Sequence, residues 1–162
     1  MKKLFFLILI TLPFYLAYSL YYLDKVNFLC PIEYEGDIIV RCDGRGNGFF
    51  GTSRSGRRTH AGLDLYAPIG EPVLAVRSGL VASAKQNRGM GKYVIIRHRD
   101  GTVTLYGHLS KISVSKGNIV QQGEIVGAVG KTGNARHAGI QPHLHFEVKK
   151  NGVPQDPLKY LD

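Results

Sequence analysis

From His60 onward the chain consists of short runs rich in Val, Ile and Tyr, cut by Gly, Pro, Asn-Gly or Asp-Gly, with no long helical period. Runs of this length suit strands and the cuts suit turns, so an all-β fold is expected. The clearest hairpin joins residues 92–99 to 102–109 through Asp100-Gly101, a dipeptide that favours a two-residue turn with positive φ. Further strands are expected at 73–76, 80–84, 118–121, 125–129 and 143–149, with Asn151-Gly152 as another turn. Gly127, Gly130 and Gly133, with Gly130-Lys131-Thr132, imitate the end of a phosphate loop. The earlier glycine of such a loop is replaced by Ile125 and no helix follows, which excludes nucleotide binding.

The N-terminus has a different character. Lys2 and Lys3 precede an apolar stretch from Leu4 to Leu23, interrupted only by Thr11, Pro13 and Ser19. This is the pattern of an export signal. Ala17-Tyr18-Ser19 offers a small-x-small cleavage site, while an apolar length of roughly 20 residues also suits an uncleaved membrane anchor. Residues 1–23 are therefore read as a signal peptide or anchor helix, 24–50 as a connecting region with a strand candidate at Ile38-Ile39-Val40, and 51–162 as the main domain. A chain of 162 residues has room for one such domain and one active site. Cys30 and Cys42 are the only cysteines, and outside the cytoplasm they can oxidise to a bridge or remain free thiols.

Lys and Arg outnumber Asp and Glu by 21 to 12, which favours anionic partners such as a wall or membrane surface. No basic aromatic stripe of the kind that stacks bases is visible, so specific nucleic-acid binding is not expected.

Histidines carry the chemical signal. His143 and His145 lie two apart in an alternating segment, so on a strand both imidazoles face one side, about 7 Å apart. His60 and Asp64 lie four apart around Gly62, in a stretch that Gly62 and Pro68 mark as extended. Nitrogen and carboxylate ligands suit zinc, and three protein ligands with an open fourth position mark a catalytic site. His108 sits at the end of the central hairpin. Glu147 shares the face of His145, either to orient that imidazole or as a solvated strand residue. Arg54, Arg57 and Arg58 form a basic loop that either meets substrate carboxylates or is simply solvated. His98, beside the turn, is expected to be exposed, and neither it nor His137 is given a role.

In this order and at these distances, His60-x-Gly62-x-Asp64, Tyr106-Gly107-His108-Leu109 and His143-Leu144-His145-Phe146-Glu147 resemble the signature of the lysostaphin/LytM metallopeptidases of family M23. The resemblance covers roughly residues 54–162. It implies a single antiparallel β-sheet domain of the lysostaphin/LytM (duplicated hybrid motif-like) type. It also implies zinc held by His60, Asp64 and His145, with His108 and His143 as the catalytic residues beside the attacking water. The implied activity is hydrolysis of peptide bonds in cell-wall peptidoglycan by an exported monomer, secreted or anchored in the envelope. The stretch from Arg41-Cys42-Asp43 to Arg54 and the loop 137–141 resemble the secreted chemotaxin branch of the same fold, whose members are non-enzymatic binding proteins. That branch supplies the alternative, a non-catalytic wall-binding or regulatory module, but it lacks the histidine equivalent to His108.

Overall fold

The described residues of a computed structural model are Thr11, which is helical, 28–54, 56 and 58–161, and fourteen strands with two short 3₁₀ turns make up the regular secondary structure from residue 28 onward. Apart from Thr11, the segment read as signal or anchor lies outside them, as does Arg57. Two short hairpins come first, β1 (Cys42–Asp43) with β2 (Gly46–Asn47) and β3 (Ser53–Arg54) with β4 (Arg58–Thr59). There follow β5 (Leu63–Tyr66), β6 (Pro72–Leu74), β7 (Gly79–Asn87), β8 (Gly91–His98), β9 (Val103–Leu109), β10 (Lys111–Ile112) and β11 (Ile119–Val120). The last are β12 (Ile125–Ala128), β13 (His143–Lys150) and β14 (Val153–Gln155).

The fold is all-β and antiparallel throughout its sheets, as the alternating runs imply. The main sheet has seven strands in the order β11-β7-β8-β9-β13-β14, with β5 also paired to β13. A second, three-stranded sheet runs β10-β12-β6. One core draws on both: Val73 and Val126 of the small sheet join Leu65, Val94, Ile96, Tyr106, Leu144 and Phe146 of the large one. Phe28 and Ile32, from the segment before the hairpins, are buried in the same cluster.

Strand β13 shows how the sequence pattern becomes a site. Leu144, Phe146 and Val148 are wholly buried in the core, each contributing about 1.5–3 kcal/mol by leaving water. Alternation then turns His143, His145 and Glu147 to the opposite face. Those three are also buried, so that face is covered rather than bathed in solvent.

Several local expectations are corrected. The Asp100-Gly101 hairpin closes with three residues, not two: His98 N–H donates to Thr102 O, Gly101 N–H donates to His98 O, and only Gly101 has positive φ (82°). A type I turn followed by a left-handed glycine has this form. The Asn151-Gly152 turn does take positive φ at both residues (51° and 79°). Ile38-Ile39-Val40 forms no strand, only a bridge from Val40 to Leu65 and a hydrogen bond from Tyr66 N–H to Ile39 O. Cys30 and Cys42 are free: Cys30 follows a segment tied to Val76, whereas Cys42 lies in the β1–β2 hairpin beside β5. His98 is buried, not exposed, because its ring turns inward to contact Ser78 O (3.0 Å) and Thr104 Oγ1 (2.8 Å).

Candidate metal centre

Register brings the distant motifs together. On β13, His145 pairs with Asp64 of β5 on one side and with Gly107 of β9 on the other. The approach of the first motif depends on Gly62, where a β-carbon would lie 2.4 Å from Phe146 O and 3.1 Å from His145 Cε1. Any side chain there would push His60 away from His145.

His108 reaches the site through a β-bulge. Lys92 pairs with Leu109 and Val94 with Tyr106, so Gly107 and His108 together oppose one residue of β8, Tyr93. The extra residue shifts the alternation, leaving Tyr106 and Leu109 in the core while His108 joins the face of His145. The His108 backbone has φ 61°, a left-handed conformation that costs a non-glycine residue energy and clusters at functional sites. Its N–H donates to Met90 O.

Three donor atoms converge at the centre. His60 Nε2 and His145 Nδ1 lie 3.1 Å apart, and they stand 3.0 and 2.8 Å from Asp64 Oδ1. Each ring is oriented by its other nitrogen: His60 Nδ1–H donates to Phe49 O at 2.9 Å, and His145 Nε2–H to Glu147 Oε1 at 3.0 Å. When both rings are neutral, those bonds leave lone pairs on His60 Nε2 and His145 Nδ1, facing each other and a carboxylate oxygen. Only a positive species between them makes that arrangement favourable. Tetrahedral zinc with bonds of about 2.0–2.1 Å would set its ligands about 3.3 Å apart, a few tenths of an ångström wider than these separations. The donor set therefore fits zinc, with His60, Asp64 and His145 as the three residues to hold it.

The electrostatics follow from the same contacts. Burial raises the Asp64 pKa, but hydrogen bonds from His145 and His60 outweigh it and hold the carboxyl well below the usual carboxylate range. Its other oxygen, Oδ2, receives Arg54 Nη2 at 2.6 Å and Arg41 Nη2 at 3.2 Å. Without a metal, the shared proton rests on His145: burial disfavours its charge, but hydrogen bonds to Asp64 and Glu147 raise its pKa to about 9. Burial lowers His108 to about 3, assisted by the neighbouring imidazoles of His145 and His143, so it is neutral near pH 7. Burial also lowers His143, whose Nδ1–H donates to Gln141 O at 2.7 Å. Its Nε2 is thereby left as an acceptor, 3.9 Å from Asp64 Oδ1. His108 Nδ1 is buried with no hydrogen-bond partner.

All five residues singled out in the sequence thus meet in one groove of about 790 Å³. Glu147 orients His145 and also meets Lys149 Nζ at 2.7 Å. Arg54, left open in the sequence as a solvated loop residue, grips Asp64. Arg41 was not foreseen. It is 2% exposed and links Asp64 to Asp43, whose Oδ2 also accepts the Gln141 N–H beside His143. No spacing rule connects position 41 to position 64, so only the local likeness of Arg41-Cys42-Asp43 to another branch of the fold drew notice to it. His137 is exposed and does not line the groove.

The model of peptidase family M23 matches residues 58–157. The chain is 46% identical over 101 residues to the DD-carboxypeptidase/endopeptidase Mpg of Neisseria meningitidis, and 40% identical over 100 residues to the peptidoglycan DD-endopeptidase ShyC of Vibrio cholerae. Each match covers 62% of this chain but only 22% of the relative, so the chain corresponds to about a fifth of those proteins. In structure it is similar to the catalytic domain of the prophage-encoded M23 protein EnpA from Enterococcus faecalis, with TM-score 0.63 and 30% identity over 81% of this chain and 97% of that one.

Proposed function

The chain belongs to peptidase family M23, and on that premise we propose that it is a zinc-dependent endopeptidase that hydrolyses peptide bonds in bacterial cell-wall peptidoglycan. The observation that carries this reading is the convergence of His60 Nε2, His145 Nδ1 and Asp64 Oδ1, with their lone pairs toward one point and two further histidines alongside. Names of the relatives that specify peptidoglycan or an endopeptidase support the substrate class. Export by the N-terminal apolar segment would place the enzyme, acting as a monomer, where that polymer lies.

Zinc bound by these residues would supply Lewis acidity and lower the pKa of a water from 15.7 to about 7. The chain's own groups do the rest. Glu147 and the Phe49 carbonyl fix the ring orientations of His145 and His60, while Arg41 and Arg54 hold Asp64 Oδ2 and leave Oδ1 to the centre. His143, oriented through Nδ1, offers Nε2 to take the proton of the attacking water and pass it to the leaving amine. His108, neutral and lining the groove beside His143 and His145, is placed to stabilise the tetrahedral oxyanion through its ring edge.

Two variants separate these roles. His145→Ala should lose zinc, because a three-ligand site cannot surrender one ligand without large cost. His108→Ala should keep zinc and lower kcat by about 10²-fold or more. Metal content and turnover of the two purified variants decide it: zinc retained by His145→Ala and lost from His108→Ala would reverse the assignment.

A further inference from the structure

The groove does not end at the histidines. Asn87, the last residue of β7, and Arg88, in the turn to β8, line it, and both also line a second pocket of about 400 Å³ completed by Gln86, Gly133 and Arg136. The walls of that pocket have a fixed base. Asn134 N–H donates to Gly89 O at 2.9 Å, and Gly133 packs so closely on the turn that a β-carbon there would lie 2.2 Å from Gly91 N. Two guanidinium side chains and two amides surround the space, and no carboxylate lines it. Among the described residues, neither Arg88 nor Arg136 has an acidic partner, whereas the arginines at the centre, Arg41 and Arg54, are both paired with Asp64.

We propose that this second pocket is a substrate subsite that binds a carboxylate carried by the peptide whose amide lies at the histidine centre. The inference rests on the endopeptidase reading, because it needs a peptide in the groove. Planar guanidinium groups match carboxylate geometry, and the side-chain amides of Gln86 and Asn87 can donate to the same anion. Since the pocket and the groove share Asn87 and Arg88, one extended chain can occupy both, with its anionic group on the β7–β8 side of the reacting bond. The subsite therefore selects acidic peptides over uncharged ones such as oligoglycine.

The test is a binding titration of the purified full chain, by calorimetry, with two peptides identical except that one carries a free carboxylate and the other its amide. The wild type should bind the free acid about 10-fold more tightly, the scale of one charge-assisted contact. In the double variant Arg88→Gln with Arg136→Gln this preference should fall below about 2-fold, while affinity for the amide stays the same. Equal binding of both peptides by the wild type would overturn the proposal. So would a double variant that keeps the preference, or one that weakens both peptides alike. Inorganic phosphate should compete only weakly against the acid peptide; competition as strong as that of the peptide itself would show an unspecific anion site and count against it. Cleavage of the two peptides is scored separately by mass spectrometry, so a chain that prefers the acid but cuts nothing would leave the subsite standing and count against the endopeptidase reading. Cleavage of both peptides with equal affinity would do the reverse.

Discussion

Asp64 shows how one residue serves two sets of partners. One carboxylate oxygen meets His60 and His145 at 3.0 and 2.8 Å, and the other receives two arginines. Buried charge is tolerated only when paired, and here the pairing also decides which oxygen faces the centre. Glu147 does similar work for His145, since its hydrogen bond at Nε2 selects the tautomer that leaves Nδ1 free. Glu147→Gln should therefore weaken zinc affinity by about 10- to 100-fold while the fold persists. Competition against a chromophoric chelator measures this, and unchanged affinity would show that the carboxylate does not orient the ligand. His60 with Asp64, and His143 with His145, were legible as pairs from their spacing on extended chain, whereas their union with His108 in one site was legible only through the likeness of the three motifs to family M23. The arginines were not, because their link to Asp64 spans 23 and 10 residues and depends on how β5 is flanked.

Between strands, the site depends on two departures from regular pairing. The bulge at Gly107 and His108 turns a histidine that regular alternation would bury in the core toward His145. Alternation alone predicts a regular hairpin, so the bulge could not be read from the sequence, and neither could the three-residue turn at its far end. Gly62 is the second departure, an open position that lets the chain between His60 and β5 lie against β13. Gly62→Ala should cost about 1–3 kcal/mol, because the added methyl meets backbone that cannot move freely. Zinc affinity should fall with it, as His60 is displaced from His145. Denaturant unfolding together with a metal titration tests the pair of effects, and a fully stable variant with normal metal binding would mean that β5 can shift without consequence. The strands themselves were legible to within a few residues, from β7 to β9 and at β12 and β13, since each carries a strong alternating or apolar run bounded by Gly or Pro.

At the scale of the whole molecule, one core joins both sheets and includes Phe28 and Ile32, so the positions of the motifs are set by the same packing that stabilises the domain. Fold alone does not carry activity, and the case rests on the site. The site makes a pH-dependent claim. With no metal bound, His145 holds its proton up to about pH 9, while His108 is neutral down to about pH 3 and His143 is also lowered. Metal binding near pH 7 must therefore expel the His145 proton, and affinity should climb about tenfold per pH unit until it levels off near pH 9. Calorimetry at one pH, in buffers of different ionisation heat, counts the protons released; a count of zero would contradict the proton on His145. The central claim is that zinc at these three residues lets the chain cut wall peptide. It is tested most directly by mass spectrometry of purified peptidoglycan incubated with the chain as isolated, after verified zinc removal, and after zinc is restored. The account predicts fragments with new amino termini in the first and third digests and none in the second. Fragments that persist at full yield after zinc removal would contradict it, as would a zinc-loaded chain that releases none.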